Sequence, residues 1–159
     1  MKKGRILNKR LNQAIADMGH GDLLVVCDAG FPIPGDEKRV DLAIEADKPG
    51  IAEVLDLVIG DLIYERCIVA AEQKQFNPPL YSRIEGMIDR CPVETLPYDE
   101  FMKLAKTGAK YVVRTGAMDP WGNVILCSGI DAPFWFRKPG VITPDFYRER
   151  ASYQEKRPG

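Results

Sequence analysis

Hydrophobic residues along this chain keep two different rhythms, and each rhythm predicts a different kind of element. Leu11, Ile15 and Met18 recur four and three residues apart, behind the potential cap Asn8 and ahead of Gly19, which predicts a helix over 9–18. The unbroken apolar run Leu23 to Cys27 then predicts a strand covered on both faces. Two prolines in Phe31-Pro32-Ile33-Pro34-Gly35 remove ladder donors, so that stretch is expected to be an ordered loop at the end of the strand. Val40 to Ile44 alternates as a short strand, and Pro49-Gly50 opens a helix whose Ile51, Val54, Leu55, Val58 and Ile59 fit the 3.6-residue period. Cys67 to Ala71 reads as a buried strand, and Asn77-Pro78-Pro79 starts a helix carrying Leu80, Ile84, Met87 and Ile88. Val93 to Leu96 is a further strand, and Pro97 starts a helix with Phe101, Leu104 and Ala105 on one face, ending near Thr107-Gly108. Lys110 to Arg114 and Asn123 to Cys127 complete the strands. Six strands alternating with four helices predict one α/β domain of three layers, α/β/α, around a roughly six-stranded sheet.

Composition narrows the class. The chain has 159 residues, enough for one domain with a true core, and its 22 Lys+Arg nearly balance 23 Asp+Glu. This is ordinary globular composition, and it speaks against disorder and against a basic nucleic-acid scaffold. The apolar runs fall well short of the roughly 18 residues a membrane helix needs. The basic start Met1-Lys2-Lys3-Gly4-Arg5 is followed by the polar Asn8-Lys9-Arg10 and does not read as a secretion signal, so the cytoplasm is the expected location. Cys27, Cys67, Cys91 and Cys127 lie 40, 24 and 36 positions apart without any CxxC pair, so they are expected to be reduced, structural thiols.

Candidate chemistry begins with His20, the only histidine, held between glycines in Gly19-His20-Gly21-Asp22. Its ring can give and take protons near neutral pH, which suits an acid/base, although a surface or cap histidine would fit the same turn. One histidine without a cysteine pair makes a zinc site improbable. Gly19-x-Gly21 precedes a strand and lacks a third glycine opening a helix, so it is no dinucleotide fingerprint, and no GxSxG elbow or GxxxxGK[ST] loop occurs. Asp28 ends the first strand, where open α/β sheets place ligand-binding groups, which favours a binding role over a simple turn cap. Trp121-Gly122-Asn123 sets an aromatic plane, a small residue and an amide side by side. Such a trio suits a sugar, with an apolar face and bidentate hydrogen bonds, and it also suits a plain turn.

Several blocks together carry a resemblance. Met1-Lys2-Lys3-Gly4, the His20 turn, Val26-Cys27-Asp28-Ala29-Gly30-Phe31-Pro32-Ile33-Pro34, Ala70-Ala71-Glu72-Gln73-Lys74, Arg114-Thr115-Gly116 and Asn123-Val124-Ile125-Leu126 occur in order. Over residues 1–130 the chain resembles the D-ribose pyranase and L-fucose mutarotase family. The resemblance implies a cofactor-independent isomerase that interconverts ring forms of a free monosaccharide (ribose, fucose or a related aldose). It also implies a ring-shaped homo-oligomer, such as a decamer, with sites between subunits. Carried over residue by residue, His20 matches the family's catalytic histidine, Asp28 its sugar-binding aspartate, and Trp121, Gly122 and Asn123 its aromatic-small-Asn trio. Trp121 occupies a position where tyrosine is usual. Tyr98 falls where ribose-type members carry a second histidine, and is a candidate substrate contact. Residues 131–159 lie beyond the usual C-terminus of the family.

Pyranose opening needs a proton taken from the anomeric hydroxyl and one delivered to the ring oxygen, and neither metal nor cofactor is required. His20 is the expected acid/base, with Asp28, Tyr98 and Asn123 orienting hydroxyls and Trp121 packing on the sugar's C–H face. A straight strand over 23–27, at about 3.3 Å per residue, would hold His20 and Asp28 on the order of 20 Å apart. One site containing both is therefore expected to lie across a subunit boundary. Two rival readings remain: a non-catalytic sugar-binding or transport-accessory protein on the same scaffold, and a structural ring. Neither nucleic acid nor membrane is an expected partner. The C-terminal extension, 131–159, holds six of the 14 aromatic residues and four of the 12 prolines. Such a tail is expected to dock on its own or a neighbouring subunit, as a strap or as a lid.

Overall fold

The structure, a computed structural model, describes residues 2–154. Its strands are β1 (Leu23–Cys27), β2 (Arg39–Asp41), β3 (Tyr64–Ala70), β4 (Val93–Leu96), β5 (Ala109–Arg114) and β6 (Val124–Ser128). They form one sheet in the order β2-β5-β1-β6-β3-β4. β6 runs antiparallel to both β1 and β3, while every other pairing is parallel. The main helices are α1 (Lys9–Ala16), α2 (Ile51–Asp61), α3 (Ala71–Phe76), α4 (Pro78–Met87) and α5 (Tyr98–Gly108), and the C-terminal extension adds α6 (Ala132–Trp135) and α7 (Arg148–Ala151).

The period of two along β1 explains the layers. Leu24 and Val26 face the cluster built by α1, α2 and α4, whereas Val25 and Cys27 face Phe101, Met102 and Ala105 of α5. Both faces are covered, which is why the run is apolar throughout. α1 begins where expected, because Asn8 Oδ1 accepts from Leu11 N at 2.9 Å. All four cysteines are free, and three are buried. Burial pushes the Cys27 and Cys67 thiols upward and holds Cys91 up at about 11, so they behave as small hydrophobes.

Beyond shifts of one or two residues at the ends of α1, β5 and β6, three departures from the expected elements stand out. β2 is shorter than 40–44, because its partner β5 stops at Arg114; after Leu42 N donates to Arg114 O, the chain turns back through an Ile44–Lys48 hydrogen bond. β3 starts at Tyr64, three residues early: Tyr64 and Arg66 pair with β6 although charged residues interrupt the apolar run. Ala71 begins α3, a short helix without an apolar stripe that joins β3 to α4.

Topology places the chemistry. The carboxyl ends of β1 to β5 and the amino end of β6 share one rim, and the amino ends of β1 and β3 share the opposite rim with the carboxyl end of β6. Asp28, α3, Tyr98 and Asn123 leave the first rim, and His20 sits before the second. No helix among the described residues is long and apolar enough to cross a membrane.

Candidate functional site

At the carboxyl rim the loop after β1 is stitched to the loop after β5. Thr115 N and Oγ1 both donate to Cys27 O, Ala29 N donates to Ala117 O at 2.9 Å, and Arg114 Nε donates to Ala29 O at 3.0 Å. These bonds hold Asp28 against Asn123, the residue just before β6. The two exchange a matched pair: Asp28 N donates to Asn123 Oδ1 at 3.1 Å, and Asn123 Nδ2 donates to Asp28 Oδ2 at 2.9 Å. Asp28 Oδ1 accepts from Gly30 N at 2.8 Å. Burial raises the Asp28 carboxyl above its ordinary value, against the opposing pull of the bonds from Gly30 and Asn123.

The turn carrying Trp121 is strained and clamped. Trp121 has φ +53°, a left-handed conformation that is costly for a bulky side chain. Gly122 must be small, since a Cβ there would come within 2.8 Å of Asp119 O. Two side chains hold the turn from α3 and its end. Gln73, fully buried, donates from Nε2 to Trp121 O at 2.6 Å and reaches Asn123 O at 3.4 Å. Asn77 Nδ2 donates to Pro120 O at 3.0 Å while its Oδ1 caps α4. The Trp121 ring stacks on Phe76, with centroids 5.2 Å apart. Two buried acceptors on α3, Glu72 Oε2 and Gln73 Oε1, have no hydrogen-bond partner among the described residues. Tyr98, at the start of α5, is exposed on the same rim.

His20 occupies the other rim. Gly21 takes φ +85°, and a Cβ added there would meet nothing within 4 Å, so glycine is needed here for its backbone and not for space. The turn is tied to β6, with Gly21 N donating to Ser128 O and Ser128 N to Asp22 O, both at 2.8 Å. Asp22 accepts from Gly19 N and from Lys110, each at 2.7 Å, and the Lys110 bond is the main cause of its lowered carboxyl pKa. The exposed His20 ring places Nε2 at 3.1 Å from Glu65 Oε1.

Asp28, Trp121, Gly122 and Asn123 thus come together, Tyr98 shares their rim, and His20 lies one strand length away. Sequence reasoning did not single out Gln73, Asn77, Phe76 or Glu65 for these contacts. Asn77 was legible as a cap but not as a clamp, and a polar Gln73 between Ala71 and Phe76 announces no burial. Among the described residues there is no group of three or more His, Cys, Asp or Glu able to hold a metal ion.

Comparison with known proteins gives a consistent answer. The model of the RbsD / FucU transport protein family matches residues 1–131. D-ribose pyranase 2 of Rubrobacter xylanophilus is 48% identical over 151 residues, 95% of this chain and 98% of the relative. D-ribose pyranase 1 of Streptomyces griseus is 41% identical over 150 residues, 94% of this chain and 99% of its own. Both alignments are longer than the family model's span, so the C-terminal extension, expected to lie beyond the family's usual end, continues in these relatives. The solved structure of Bacillus subtilis RbsD complexed with D-ribose superposes with a TM-score of 0.77 at 35% identity, covering 82% of this chain and 98% of that one.

Proposed function

Because this chain belongs to the RbsD / FucU transport protein family, we propose that it is an isomerase that interconverts ring forms of a free monosaccharide, with D-ribose the favoured substrate. The observation that carries the reading is the Asp28–Asn123 pair beside Trp121 on the carboxyl rim. A carboxylate and an amide locked to one another present fixed acceptors and donors to vicinal hydroxyls, and preorganisation lowers the cost of ordering them on binding. Phe76 takes one side of the Trp121 ring, and a sugar's C–H face uses the other. Tyr98 orients a further hydroxyl. The D-ribose bound by the 35% identical RbsD, and the pyranase names of the two long relatives, support ribose over fucose.

In this reading His20 removes the anomeric O1 proton as the bond from C1 to the ring oxygen breaks, and a proton reaches that oxygen. Another hydroxyl, or the same one on the opposite face, then closes on the free aldehyde. The exchange is redox-neutral and needs no cofactor. β1 separates His20 from Asp28 by on the order of 20 Å, so the complete site joins His20 of one subunit to the carboxyl rim of another, in a ring such as a decamer. Exposed Ile44, Phe76, Tyr98 and Met118 around that rim supply apolar surface for such an interface. A cytoplasmic location belongs to the same reading and agrees with four free cysteines.

Saturation-transfer NMR on free D-ribose tests the proposal, with L-fucose in parallel. Accelerated pyranose–furanose exchange in ribose is the expected result. Ribose binding without accelerated exchange in either sugar would overturn the enzyme reading in favour of a sugar-binding accessory protein.

A further inference from the structure

The C-terminal extension reaches the histidine rim through a carboxylate. Between Tyr64 and Arg66 the pairing of β3 with β6 shifts register, and Glu65 sits at that irregularity, a device that re-aims a side chain. Across from it Gly129 leaves the room Glu65 needs, since a Cβ at 129 would lie 3.1 Å from Glu65 Cβ and 3.2 Å from Oε2. The carboxylate is only 14% exposed and divides its oxygens: Oε1 lies 3.1 Å from His20 Nε2, and Oε2 accepts from Arg150 Nη1 at 3.0 Å. Arg150 belongs to α7 of the extension and lies over the Tyr147 ring. A second anchor joins the extension to the start of β3, as Asp89 accepts from Tyr153 and Tyr64 hydroxyls at 2.7 and 3.0 Å.

The geometry points to Glu65 and Arg150 as positioning residues for the isomerase reaction, with the C-terminal extension holding Glu65 so that His20 keeps its proton on Nε2 and presents Nδ1 to the sugar. The inference rests on the proposed acid/base role of His20. An ionised carboxylate can only accept, so the neutral imidazole facing it must donate from Nε2, which leaves the Nδ1 lone pair as the base. Nδ1 has no hydrogen-bond partner among the described residues, and the ring is 44% exposed on its side chain. The nearby charges are already engaged elsewhere: Asp22 with Lys110, and Arg66 with Glu94. The hydrogen bonds of the Glu65 carboxylate go to His20 and Arg150, while Arg66 acts on it through charge alone. An arginine on the far oxygen stops the carboxylate from rotating beside the ring. Without the extension, Glu65 would keep its strand position but lose its fixed orientation.

His20 is the only histidine, so its ring nitrogens can be read by 15N NMR without assignment. In the full-length protein the Nε2–H form is expected to dominate. Glu65→Gln is expected to mix the two tautomers and to lower kcat roughly tenfold to a hundredfold, the loss that follows removal of a carboxylate orienting a metal-bound histidine, with KM for D-ribose unchanged. Arg150→Met is expected to lower kcat about twofold to fivefold in the same pattern, with Arg150→Lys recovering part of the loss. A general structural role would instead move KM or assembly. Wild-type tautomer and wild-type kcat in both Glu65→Gln and Arg150→Met would overturn the inference. Wild-type exchange in His20→Ala would overturn the acid/base reading itself, so the two failures are distinguishable.

Discussion

The two rims of the sheet are built on opposite plans. At the carboxyl rim Asp28 and Asn123 satisfy one another, Gln73 and Asn77 grip the Trp121 turn, and Asn123 and Gln73 are buried. At the other rim His20 stands exposed in a glycine turn, and its ring meets one hydrogen-bond partner from outside that turn, Glu65. Under the proposed function, the contrast follows from what each group must do. Hydroxyl recognition rewards rigid, paired donors and acceptors, whereas a proton-transfer group must keep one nitrogen open to the substrate. In that reading the recognition half is finished within one chain, while the proton-transfer half is turned outward.

The largest expected effect breaks the symmetry between the rims. His20→Ala should lower the ring-exchange rate by roughly 10²- to 10⁴-fold while leaving D-ribose affinity in place, measured by saturation transfer and calorimetry. Asn123→Ala should instead act on affinity. It leaves Asp28 Oδ2 and the Asp28 backbone N–H without their Asn123 partners, at a cost of about 1–3 kcal/mol. Mixing inactive His20→Ala and Asp28→Ala proteins through dissociation and reassembly sharpens the comparison. Composite sites should regain activity at about a quarter of positions, the statistical share for random partners; no recovery would place both groups in one chain's site.

A matched pair of glycine substitutions gives a smaller contrast. Gly21→Ala meets no atoms but must adopt φ +85°, a strain of about 1–2 kcal/mol that should lower kcat and spare binding. Gly122→Ala meets Asp119 O at 2.8 Å and should weaken binding first. The smallest effect is in pH. Burial raises the Asp28 carboxyl, so the fold disfavours its ionised form and this group's contribution to stability declines as pH rises past its ordinary value. Bound sugar donates to the carboxylate and favours ionisation, so D-ribose affinity should fall on acidification at a higher pH than for an ordinary aspartate. Calorimetric titration across the acid range checks this, and Asp28→Asn should remove the inflection.

Much of this arrangement was readable along the chain. Asn8 and Asn77 were legible as caps because capping is a contact between neighbours in sequence, and each side chain accepts from the N–H three residues on. The apolar run of β1 announced a strand buried on both faces, and its length already separated His20 from Asp28. Glu65 was hidden for the opposite reason. It lies 45 residues from His20 and 85 from Arg150, in a charged stretch just before the strand expected from Cys67. Gln73 was hidden because α3 has no apolar stripe, so its burial comes from the Trp121 turn folding over it, 48 residues later.

Periodicity, caps and turn residues are local physics, and they were enough to specify the strands, most helices and the positions of His20, Asp28 and the Trp121 trio. Pairing is not local. That β6 runs antiparallel between β1 and β3 is what seats Asn123 beside Asp28 and Ser128 beside the His20 turn, and that the extension folds back is what sets Arg150 on Glu65. No propensity within either segment encodes these meetings. They are decided when burying both faces of the sheet brings distant polar side chains to the same edge, where each must find a partner.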